Sequence, residues 1–107
     1  MILRDDRLAT RITELAAEYL QMESNRTSLI TVIRTDILNK GRRAIVYFTV
    51  LPDLEEERAL KFARRKRSDF RKFIIQKKPV AFAPSFDFAI DYGERNRQRI
   101  DELSNQG

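Results

Sequence analysis

A chain of 107 residues has the size of one domain, and its 42% hydrophobic residues recur periodically enough to build one core. It has no cysteine and no histidine, and its three glycines stand far apart. Disulfides, thiolate metal sites, imidazole bases and glycine-rich phosphate loops are thereby excluded, while a net charge of +5 favours a polyanionic partner.

No apolar run reaches the length of a membrane span, and Asp5 and Asp6 interrupt any leader in Met1–Arg7. The expected setting is cytoplasmic, with no membrane partner. Leu8, Ile12, Leu15 and Tyr19, with Ala9, Ala16 and Leu20, fall at helical spacing and predict a helix over Asp6–Met22. Asp5 and Asp6 suit its N-terminus as caps or against the helix dipole. After a polar loop through Ser28, two runs dense in Ile, Val, Thr, Tyr and Phe predict strands at Leu29–Thr35 and Ala44–Leu51. Between them Asn39-Lys40-Gly41 tolerates positive φ, which suits a hairpin connection.

Asp53 is the expected N-cap of the next helix, with Glu55, Glu56 and Glu57 in its first turns. That helical stretch runs to Lys77. If it is unbroken, Ala59, Phe62, Ala63, Phe70, Phe73 and Ile74 share one face and Lys66 lands in the middle of it. Burying a lysine is costly. Either the helix breaks near Lys66–Ser68, with Ser68 capping a second helix and Asp69 in its first turn, or Lys66 snorkels from a continuous one; the break is the favoured expectation. Pro79 and Pro84 then bracket a non-helical connection. Phe86, Phe88 and Ile90 alternate with Asp87 and Ala89 as a third strand, and Glu94–Leu103 reads as a short helix. Ser104–Gly107 is expected to fray.

The charge is unevenly spread. Lys61–Lys78 holds nine bases and one acid, +8, so the rest of the chain carries −3. A solvated helix face is the ordinary meaning of such a run, but here the balancing acids are missing from the segment itself. The expected contact is with nucleic-acid phosphates, through Arg64, Arg65, Lys66, Arg67, Arg71 and Lys72 around the bend. Lys40, Arg42 and Arg43 at the hairpin turn, with Arg34 on the preceding strand, form a second candidate cluster, and Arg95, Arg97 and Arg99 a weaker third. Phe82, Phe86 and Phe88 have the makings of base-stacking platforms, though aromatics at strand spacing beside Ile90 are more often core. Asp87 with Asp91, and Glu55–Glu57, do not make an acid–base pair. No enzymatic activity, cofactor, metal or small-molecule substrate is expected.

The order α-β-β-α-α-β, with bases at a helix junction, is similar to a type II KH-like domain: α+β, a single domain, with a three-stranded sheet packed on one side by helices. In Asn25-Arg26, Ile30-Thr31-Val32, Arg71, the run Pro84, Phe86, Phe88 and Asp91, and the closing Arg99-Ile100-Asp101-Glu102-Leu103, and so over nearly its whole length, the chain resembles the ribosome-binding factor A family. Ile30-Thr31-Val32 resembles the family's first strand, and Asn25-Arg26 the end of the Asp-Pro-Arg before it. Arg71 stands where the family has an arginine in the second helix of the pair. Pro84, Phe86, Phe88 and Asp91 resemble its run through the last strand, and Arg99-Ile100-Asp101-Glu102-Leu103 its closing residues. Two departures stand out. Lys66-Arg67-Ser68 replaces the Ala-x-Gly at which the family's helix pair bends, and Ser24-Asn25 replaces Asp-Pro. The resemblance implies a factor that binds the free small (30S) ribosomal subunit through its rRNA. It would assist late 16S rRNA maturation without catalysis. A monomer is the expectation, since nothing in the sequence suggests a dimer. From the residues alone, a stand-alone KH-type RNA-binding protein and a basic module docking on an acidic protein partner remain alternatives.

Overall fold

In the computed structural model of the protein, which describes residues 4–23, 28–77 and 83–93, helix α1 spans Arg4–Glu23. Ile12, Leu15, Ala16, Tyr19 and Leu20 lie on its buried face. The two predicted strands form an antiparallel pair, β1 (Leu29–Leu38) and β2 (Arg43–Leu51). At the turn between them Asn39, Lys40 and Gly41 all have positive φ (53°, 56° and 88°), and the Arg42 amide donates to the Asn39 carbonyl. This is the left-handed geometry that asparagine and glycine tolerate. β1 runs three residues past its predicted end, and its register with β2 shifts between Val32 and Arg34. The unpaired residue is Ile33, 46% exposed, as an extra residue in a bulge would be.

Beyond β2, a 3₁₀ turn at Asp53–Glu55 precedes helix α2 (Glu56–Arg65). Asp53 therefore does not cap α2. The cap position falls to Glu55, and no side chain bonds there. The acids Glu56 and Glu57 occupy the first turn, where the helix dipole favours them. Helix α3 (Arg67–Lys77) follows after the single residue Lys66. The helical stretch does break, but Ser68 is the second residue of α3 and not its cap. The Lys66 carbonyl accepts the Phe70 amide (2.8 Å), so Lys66 itself begins the new helix, with Asp69 in the first turn as expected.

Strand β3 (Ser85–Ile90) then lies parallel to β2, as the long α2–α3 crossover requires, and the sheet order is β1-β2-β3. Ala44, Val46, Phe48 and Val50 of β2 and Phe86, Phe88 and Ile90 of β3 point to the helix side and are buried. The alternate positions Ile45, Tyr47, Thr49, Asp87 and Ala89 are only half-buried, because pleating sends them to the open face. The aromatic centre of the core is Phe70, fully buried, with ring centroids 4.9 Å from Phe86, 5.4 Å from Tyr19 and 5.5 Å from Phe88. Phe86 and Phe88 are thus core residues and not stacking platforms. Burial, then the charges of Glu23 and Asp69, push the Tyr19 hydroxyl pKa up from its ordinary value. The predicted C-terminal helix, its arginines, the frayed end, Phe82, Pro79 and the Asn25-Arg26 match lie outside the described residues.

Candidate nucleic-acid interface

The bend between α2 and α3 requires no glycine. Lys66 adopts φ −94° and ψ 5°, a conformation open to any L-residue, and its amide donates back to the Ala63 and Arg64 carbonyls. The loss of the family's Ala-x-Gly is therefore compatible with a sharp turn between the helices. Bending also resolves the misplaced lysine. Lys66 is half-buried, with Nζ 3.5 Å from the Glu23 carboxylate at the end of α1 and 6.0 Å from the Phe62 ring. One opposite charge and one aromatic face lie beside the half-buried side chain.

The turn of the chain at Lys66 aims Arg64, in the last turn of α2, and Arg67, the first residue of α3, at the outer edge of β3. Both reach Asp87: Arg64 Nε lies 3.4 Å and Arg67 Nη1 3.3 Å from its Oδ1. Arg43, at the start of β2, approaches the other carboxylate oxygen, Nη2 to Oδ2 at 3.7 Å. The hairpin and the bend, 21 residues apart in sequence between Arg43 and Arg64, are thereby joined into one cluster. Its parts are further fixed by backbone contacts. Arg67 Nε donates to the Arg64 carbonyl (3.0 Å), and the Ser85 amide donates to the Arg42 carbonyl (3.0 Å), tying the hairpin turn to the start of β3.

The remaining predicted residues divide by role. Arg71 donates through Nε to the Pro84 carbonyl and through Nη2 to the Ala83 carbonyl, both at 3.2 Å, and so clamps α3 to the entry of β3. Arg65 and Lys72 are exposed and form no ion pair among the described residues. Lys40 and Arg42 are exposed at the turn. Acids from distant elements partly balance the basic segment: besides Asp87 and Glu23, Glu18 of α1 lies 3.7 Å from Lys77.

The sequence marks Arg34 only as a companion of the hairpin-turn cluster and gives no sign of the role of Asp87. Asp87 was considered only as a half of a carboxylate pair, yet it is the point on which three arginines meet. Arg34 of β1 stacks its guanidinium 4.0 Å above the Tyr47 ring and bonds Asp91 at 2.8 Å on the open face. The alternation of β3 marked Asp87 as outward-facing, but its partners come from β2, α2 and α3, which no local pattern reveals.

Chemically, the cluster holds three guanidiniums around one carboxylate, an excess of two positive charges. All three arginine side chains are about half exposed, at 47–49%, against 24% for Asp87. Each guanidinium carries five N–H donors in a planar fork that matches phosphate oxygens, and the contact with Asp87 uses one nitrogen of each. Among the described residues no group of three or more His, Cys, Asp or Glu side chains is placed to hold a metal ion, and no helix is long and apolar enough to cross a membrane.

A mixed three-stranded sheet with helices on one face, in the order α-β-β-α-α-β and with a basic bend between its last two helices, defines an α+β domain of the KH-like kind. The chain belongs to the ribosome-binding factor A family, whose model matches residues 4–104. Its fold is similar to the crystal structure of ribosome-binding factor A from Thermus thermophilus, with TM-score 0.70 at 21% identity over 78% of this chain and 92% of that one. It is also similar to the solution NMR structure of a Thermotoga maritima protein assigned to the same factor, with TM-score 0.69 at 27% identity over 81% and 86% of the two chains. A third similar structure is a homology model of the Thermus thermophilus factor fitted into a cryo-EM map of its complex with the 30S subunit, with TM-score 0.68 at 20% identity over 78% and 90%. No curated protein sequence matches the chain.

Proposed function

We propose that this protein binds the free small ribosomal subunit late in its assembly and assists maturation of 16S rRNA by holding RNA, without catalysis. Family membership supports the ribosomal partner, and the Thermus thermophilus factor has been fitted on a 30S subunit. The observation that carries the RNA contact is the convergence of Arg43, Arg64 and Arg67, from three separate elements, on one carboxylate with all three guanidiniums half exposed. Such a cluster grips phosphates and does not read bases, so recognition rests on the shape of the rRNA. Arg65, Lys72, Lys40 and Arg42 flank the cluster as outlying phosphate contacts. Lys66 acts from the bend with its Glu23 pair in place, and Arg71 contributes charge while holding α3 to β3. The protein acts as a cytoplasmic monomer in this reading.

A filter-binding titration with small-subunit rRNA tests it. With about six phosphate contacts, log affinity falls against log salt with a slope of roughly −4 to −5. A slope near zero refutes phosphate gripping.

A further inference from the structure

We propose that Asp87 is a built-in competitor for the RNA phosphate, holding the arginines in the free protein and weakening the grip of the bound one. The proposal rests on the reading of the bend as the RNA contact and deepens it. Three observations support it. First, the stoichiometry at Asp87 is unlike that elsewhere in the basic segment. Lys61 pairs with Glu57, Lys66 with Glu23 and Lys77 with Glu18, whereas Asp87 alone faces three guanidiniums. A carboxylate there stands where a phosphate would draw the same three groups together.

Second, the contacts are loose. At 3.3, 3.4 and 3.7 Å they are longer than well-made charge-assisted hydrogen bonds, and the arginines are half in solvent. An RNA backbone presents several phosphodiester groups, each with one charge and two free oxygens, and together they can draw loosely held guanidiniums away from a single carboxylate. Third, the carboxylate has its own anchor, since the Phe88 amide donates to Asp87 Oδ1 at 2.8 Å. Asp87 therefore stays in place when the arginines turn outward, and its charge remains beside the bound phosphate. Release of the bound RNA is easier with such an arrangement than with guanidiniums that face phosphate alone.

Asp87→Asn retains an oxygen for the Phe88 amide and removes the charge. It is expected to tighten binding of small-subunit rRNA about tenfold at low salt, the size of one unit charge several ångströms from the ligand near a protein surface. It should also steepen the salt slope by roughly 0.7 to 0.9. Asp87→Ser, a second neutral variant, gives the same direction. Glu14→Gln makes the same change in net charge on α1, away from the bend, and leaves affinity within about twofold. Unchanged or weaker binding by both folded Asp87 variants overturns the proposal and makes Asp87 an organiser of the arginines. Equal tightening by Glu14→Gln overturns it too, since net charge alone then explains the effect. Wild-type protein that binds no RNA overturns the RNA contact together with this proposal; wild-type binding without tightening by the variants overturns this proposal alone.

Discussion

The two ends of α2 are opposite in charge and different in kind. At the N-terminal end the cap residue Glu55 pairs with Arg58, and Glu57 with Lys61, each about one turn on. At the C-terminal end Arg64 and Arg67 reach across to β3, where Arg43 of β2 joins them, and Lys66 reaches α1. The helix dipole explains the sign at both ends. It does not explain why the basic end gathers side chains from four other elements while Glu55 and Glu57 pair with bases one turn away. Local pairs on an exposed helix are worth a few tenths of a kcal/mol and solvate a surface. Convergence from several elements is the feature on which the proposed phosphate contact rests.

That contrast can be broken by experiment. The largest expected effect lies beneath the basic end. Phe70, in the first turn of α3, packs against Tyr19, Phe86 and Phe88, and it holds the bend against the sheet. Phe70→Ala should cost about 3–5 kcal/mol in urea denaturation, as large buried aromatics do. A loss below about 1 kcal/mol would mean that the bend is not supported by this core. A smaller effect separates the two ends directly. Arg65→Gln and Lys72→Gln, at the basic end, should each lower rRNA affinity about fivefold at roughly 0.1 M salt. Lys61→Gln, whose charge is already matched by Glu57, should change affinity less than about twofold and stability by a few tenths of a kcal/mol at most. Equal losses at all three positions would make the segment a uniform basic face with no distinct site.

The sequence makes the local features legible. Period and β-propensity located every described helix and strand. Positive-φ tolerance located the hairpin at Asn39-Lys40-Gly41, and the cost of burying Lys66 located the helix break. The parts that escaped were non-local or backbone-determined. Ser68 looked like a cap by residue type, but the break came two residues earlier, where the Lys66 carbonyl accepts the Phe70 amide. Asp53 likewise looked like a cap, yet the 3₁₀ turn after Pro52 displaced the helix start to Glu56. Arg71 looked like a free phosphate ligand, but Ala83 and Pro84, twelve and thirteen residues on, occupy its guanidinium. The missing acids of the basic segment were missing only in sequence. Folding brings Asp87, Glu23 and Glu18 to it from β3 and α1.

Reversing the three converging charges most directly tests whether the basic bend is the ribosomal contact. Wild-type protein and the variant Arg43→Glu, Arg64→Glu, Arg67→Glu are sedimented with free small subunits, with circular dichroism melting to show that both are folded. The wild type should pellet with the subunits. The variant should stay in the supernatant, a loss of affinity of about a hundredfold or more for three reversed charges at a phosphate site. Co-sedimentation of the folded variant at wild-type levels would place the main contact elsewhere on the protein.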